Sequence, residues 1–136
     1  MARTADDNLN MAPQKYDIQI TVATQYVETQ SDPAASRYVF AYTITIANTG
    51  EVTAQLINRH WLITDAGGHV QEVRGAGVVG EQPMLEPGTE FQYTSGAVLE
   101  TPFGTMQGSY EMLAADGVRF DAPIPVFRLA VPNMLH

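Results

Sequence analysis

The chain has 136 residues, of which 45% are hydrophobic and 16% charged, a balance that fits one globular domain and excludes a chain disordered throughout. Seven basic against fifteen acidic side chains give a formal net charge of −8, which opposes binding to a nucleic-acid backbone or an anionic membrane surface. Cysteine is absent, which removes disulfides, thiolate metal ligands and thiol catalysis and suits a reducing compartment.

Residues 1–14 are polar, contain an Ala-Pro and show no periodicity, so they are expected to form a loose N-terminal tail. They lack the apolar core of a signal peptide, and no later run approaches the ~20 apolar residues of a membrane span, so a cytoplasmic location is expected. Residues 15–130 are expected to form the single domain, and 131–136 a C-terminal tail. Residues 16–23 alternate apolar and polar with even positions inward, the pattern of a half-buried strand. Ser31-Asp32-Pro33 marks a loop, and residues 38–47 repeat the alternation with aromatic and β-branched side chains, ending at Asn48-Thr49-Gly50.

A third strand over 55–64 carries the only tryptophan, Trp61. Asp65-Ala66-Gly67-Gly68 reads as a hairpin turn, with residues 69–74 running back. Further strands are expected over 91–99 and 106–114, the latter turning through Asp116-Gly117 into 118–122. The segment 124–129 is expected as an edge strand, because Pro123 and Pro125 cannot donate to a ladder, and its apolar run is a candidate surface for a partner's strand. About seven short strands and no helical pattern predict an all-β, antiparallel β-sandwich of immunoglobulin or fibronectin type III character, with a small closed barrel as the alternative.

Between the fourth and fifth of these strands stands Gly75-Ala76-Gly77-Val78-Val79-Gly80, a Gly-x-Gly-x-x-Gly spacing. In a Rossmann unit that spacing cradles a pyrophosphate at a helix N-terminus. Here Pro83 and Pro87-Gly88 follow and leave no room for the helix. A second route to an anion site runs through the hairpin. With Ala66-Gly67 at its tip, Arg59 faces Arg74 beside Gly75, and two guanidiniums next to glycine amides would suit a phosphate or pyrophosphate. The plainer reading is that Glu72 or Glu81 neutralises the arginines while the glycines only shape the turn. With Gly67-Gly68 at the tip, Arg74 instead faces Trp61. Gly75, Gly77, Gly80, Arg59 and Arg74 are therefore the candidate ligand-binding residues.

His60 and His69 lie close enough in sequence to approach across the hairpin, but a metal site needs a third convergent ligand and none is marked out. Neither Ser95 nor Ser109 sits in a nucleophile elbow, so no catalytic residue is assigned, no enzyme activity is expected and no cofactor is implied. Trp61, Tyr110 and Phe91 are expected in the core, with Tyr110 a candidate for a tyrosine-corner bond to the backbone.

Several stretches together resemble the bacterial ApaG proteins. They are Asn58-Arg59-His60-Trp61-x-Ile63-Thr64-Asp65, the run from Val73 through the glycine loop to Pro83, Leu85-x-Pro87-Gly88, and Thr101-Pro102-x-Gly104-x-Met106-x-Gly108-x-Tyr110. The likeness extends over residues 16–129. It implies a fibronectin type III-like sandwich. ApaG-like domains also occur in F-box proteins and in a polymerase delta-interacting protein, where they look like interaction modules, so the resemblance implies a protein–protein interaction module with an unidentified protein partner. It also implies two alternatives: binding of a phosphorylated small ligand at the glycine motif, and a role in cobalt or magnesium handling.

Overall fold

The computed structural model describes residues 14–132, so the expected tails over 1–14 and 131–136 lie outside that range except for Gln14, Val131 and Pro132. Eight strands follow in order: β1 (Ile18–Tyr26), β2 (Tyr38–Asn48), β3 (Ala54–Asp65), β4 (Val70–Ala76), β5 (Met84–Leu85), β6 (Glu90–Leu99), β7 (Phe103–Ala114) and β8 (Arg119–Ala130). The loop expected between β1 and β2 contains two single 3-10 turns, Glu28–Gln30 and Pro33–Ala35.

The strands form two antiparallel sheets, ordered β1-β2-β6 and β4-β3-β7-β8, with the short β5 pairing β3 beyond the end of β4. This is the expected sandwich, not a closed barrel. The alternation that located β2 also sets its facing: Phe40, Tyr42, Ile44 and Ile46 are buried, while the threonines between them look outward. Leu56, Met106, Tyr110, Met112 and Leu129 meet them from the larger sheet. Trp61 is buried among Tyr42, Tyr110 and Phe127, its ring edge-on to all three.

Two features differ from expectation. The segments expected as separate strands over 118–122 and 124–129 are one continuous strand, β8. A register shift between Met106 and Gly108 of β7 gives β8 one extra residue there. That bulge carries Pro125 past the ladder, and β8 is an edge strand, so neither proline interrupts a central pairing. The second is Asn48, the buried polar residue at the end of β2. Its side-chain amide donates to Val52 O and Leu85 O at 2.9 and 2.8 Å, and its Oδ1 accepts from Gly50 N at 2.9 Å. Asn48 thereby ties the β2–β3 turn to β5, the strand that ends the glycine loop.

Candidate functional site: the glycine loop and the adjoining sheet face

The β3–β4 hairpin sets where every candidate residue stands. Asp65 closes it: its Oδ1 accepts from Gly67 N and His69 N, both at 2.9 Å, and its backbone N donates to His69 O. The turn therefore spans Ala66, Gly67 and Gly68, three residues where two were expected. The extra residue displaces both anticipated registers. Arg59 stands opposite Gly75, His60 opposite Arg74 and Trp61 opposite Val73, so the two arginines neither face each other nor place Arg74 on Trp61.

Successive residues of a strand face opposite ways, so Arg59 and Arg74 serve different surfaces. Arg59 folds over Gly75. A β-carbon at Gly75 would lie 2.7 Å from Arg59 Nη2, so glycine is what lets the guanidinium lie flat there. Arg59 Nη1 donates to Ala76 O and Gly77 O, each at 2.9 Å. The arginine thus spends its donors on the loop's own carbonyls. Arg74 projects outward and donates to Glu72 Oε2 at 2.9 Å, and His60 Nε2 reaches the same oxygen at 2.6 Å. The hydrogen bond from His60, followed by the charge of Arg74, holds the Glu72 carboxyl below its usual range.

The glycine motif is a second, smaller hairpin. Val78 and Glu81 exchange both backbone hydrogen bonds, at 2.8 and 2.9 Å, around Val79 and Gly80. These two central residues have φ of 43° and 82°, the signature of a type I′ turn. Gly77, at φ 64°, is pressed against the returning strand, where a β-carbon would meet Glu81 O. Its own N–H donates to Ile57 O at 2.9 Å. Gln82 Nε2 also donates to Ile57 O, and Gln55 Nε2 donates to Gln82 O, so the loop's exit is laced to β3. The amides of Gly77, Val78 and Glu81 are therefore occupied within the protein, and no helix follows.

Val78 is buried, whereas its neighbour Val79 is 55% exposed. A β-branched residue with positive φ is a backbone outlier, and sequence reading gave no sign of it. The only available signal was Val-Gly standing where a type I′ turn favours Asn-Gly. The structure thus brings Gly75, Gly77 and Arg59 together at the loop's base, sets Gly80 beside Val79 at its tip, and turns Arg74 away.

On the outer face of the larger sheet lies an open depression of about 600 Å³, lined by Asn58, Arg59, His60, Arg74, Gly75, Ala76, Ser109, Glu111 and Asp121, so Arg59, Arg74 and Gly75 all border it although the two arginine side chains have different partners. Most of its charges are paired: Arg74 and His60 with Glu72, and Glu111 with Asn58 at 2.6 Å and Arg119 at 3.3 Å. His60 and His69 do not converge. The first stands beside Glu72 and the second at the Asp65 turn. Among the described residues no group of three His, Asp or Glu side chains is placed to hold a metal ion.

A buried polar contact also escaped the sequence reading. Tyr93 and Tyr110 approach hydroxyl to hydroxyl at 2.5 Å across the sandwich, so the hydroxyl of Tyr110 meets a side chain instead of the expected corner backbone. Burial pushes the Tyr93 hydroxyl up to about 12 and raises Tyr110 as well.

The ApaG domain model matches residues 28–114, from the first 3-10 turn through β7, a span that includes the glycine loop and its hairpin. The chain belongs to the ApaG domain family. A Protein ApaG of Aromatoleum aromaticum is 65% identical over 123 residues, 90% of this chain and 97% of that one. One of Pseudomonas aeruginosa is 58% identical over 126 residues, 93% of this chain and 100% of that one. Among solved structures, one assigned to the ApaA protein of Bordetella pertussis superposes with a TM-score of 0.87 at 52% identity, covering 90% of this chain and 99% of that one. The ApaG sandwich is therefore the architecture on which the loop and its exposed tip are mounted.

Proposed function

We propose that this ApaG domain is a non-catalytic interaction module that presents the tip of its glycine loop to a protein partner. The observation that carries the reading is Val79. It is held at φ 43° and 55% exposed, so the chain bears a strained backbone for an apolar side chain that meets mostly water. Backbone strain of this kind costs about 1–3 kcal/mol and persists where function uses it. Asparagine or glycine would make the same turn without the strain. An apolar contact for a partner is what valine adds. Met84, 64% exposed just beyond the loop, offers a further apolar side chain.

The phosphate-ligand reading has less support. The amides of Gly77, Val78 and Glu81 are engaged within the protein, Arg59 is bound to carbonyls, and Arg74 is paired with Glu72. Titration with pyrophosphate separates the two: saturable amide shifts over residues 74–82 would favour the ligand.

The test is Val79→Asn, which relaxes the turn while removing the apolar tip. Used as bait in a native lysate, the wild-type domain is expected to retain a specific protein that Val79→Asn does not, although the variant melts higher. Equal retention by both baits would sink the reading.

A further inference from the structure

We propose that β6 is a self-pairing edge: two copies of this chain join antiparallel through β6, with Thr94 on the two-fold axis. Among the described residues no strand lies on the side of β6 away from β2, so a ten-residue row of backbone groups ends at that edge. Free edges of that length are normally blunted by proline, a bulge, lysine or inward charge. Both edges of the larger sheet are: β8 carries Pro123 and Pro125 and a bulge, and β4 carries Glu72 and Arg74. On the smaller sheet, β1 has the Phe120–Pro125 stretch of β8 beside its Ile18–Ile20 end. β6 has none of these: its register with β2 is unbroken, and its single charge is Glu90 at one end.

The sequence of β6 identifies the occupant. Side chains opposite each other in a sheet face the same way, so a two-fold pairing must pair odd with odd and even with even positions. Two registers give the longest overlap, with the axis on Thr94 or on Ser95. The Thr94 axis sets Phe91 against Ala97, Gln92 against Gly96, Tyr93 against Ser95 and Glu90 against Val98. Phe91, Gln92 and Tyr93 then each meet a small residue, and no charge meets its like. The Ser95 axis would put Glu90 against Glu100.

Each copy carries −8, so two copies repel across most approaches, and pairing requires a face poor in charge. The outward positions of β1, β2 and β6 are threonine, glutamine, alanine, glycine and valine, with Glu90 as the one charge. Edge pairing through β6 extends this uncharged face across both copies as β1-β2-β6-β6-β2-β1. The repulsion left over is long-range, so added salt strengthens the pairing.

Sedimentation of the full chain over a range of concentrations tests this, with three variants at exposed outward positions. Wild type is expected to show a concentration-dependent dimer that salt favours. Thr94→Lys, which sets two ammonium groups on the axis, is expected to be monomeric while still unfolding cooperatively, with the melting temperature no longer dependent on concentration. The chain has no cysteine, so Thr94→Cys is expected to yield a disulfide-linked dimer on mild oxidation, and Thr21→Cys on β1 is not. A wild type monomeric at every concentration, a Thr94→Lys dimer as strong as wild type, or equal cross-linking at both cysteines would overturn the proposal.

Discussion

Gly75 and Gly77 are both close-approach glycines, and they fail differently when a methyl group is added. At Gly75 the obstacle is the guanidinium of Arg59, a side chain that can move. Gly75→Ala is expected to displace Arg59 from two carbonyls and cost about 1–3 kcal/mol, the range for lost charged hydrogen bonds. At Gly77 the obstacle is the backbone oxygen of Glu81, and φ is already positive. Gly77→Ala is expected to cost about 2–4 kcal/mol and to open the loop, seen by denaturant titration and by loss of exchange protection at Val78 and Glu81. Val79→Asn goes the other way, with an expected gain of about 1 kcal/mol in the same titration. Together the three variants separate glycines that build the loop from the valine that strains it.

Asn48 and the tyrosine pair act at the level of whole strands. Asn48→Ala leaves two carbonyls and an amide without their partner where β2, β5 and the intervening turn meet. It is expected to cost about 2–4 kcal/mol in thermal or denaturant unfolding. Tyr93 is pushed up to about 12 from its ordinary value of 10.0 in the folded state. Above the ordinary value the unfolded chain holds fewer protons than the native one, so stability falls as pH rises. The window is about pH 10 to 12, the loss from Tyr93 is on the order of 3 kcal/mol, and Tyr93→Phe is expected to reduce the slope, with the raised Tyr110 carrying the remainder. Much of this architecture was legible in the sequence. The alternation in β2 assigned both its ends and its buried face, and Pro123 with Pro125 marked β8 as an edge. The hairpin register was not, because Asp65 closes a three-residue turn where Ala-Gly-Gly also permits two-residue ones, and one residue of slip exchanges the facing of every side chain. The strain at Val79 was illegible for a different reason: φ belongs to the loop's closure against Ile57 and Glu81, not to the local sequence.

At the scale of the molecule the sandwich offers distinct surfaces. The loop tip with Val79 stands beyond the β3–β4–β5 side, the paired charges of the outer depression lie on the larger sheet, and the uncharged face with its open β6 edge belongs to the smaller one. Family membership accounts for the shared fold, while the partner-facing role rests on Val79. The most direct measurement places a photo-crosslinking residue at position 79 of the full chain in living cells, with position 118 in the β7–β8 turn as the control. A single discrete protein adduct from position 79, absent from position 118, is the expected result. No adduct from position 79, or the same adducts from both positions, would contradict the account.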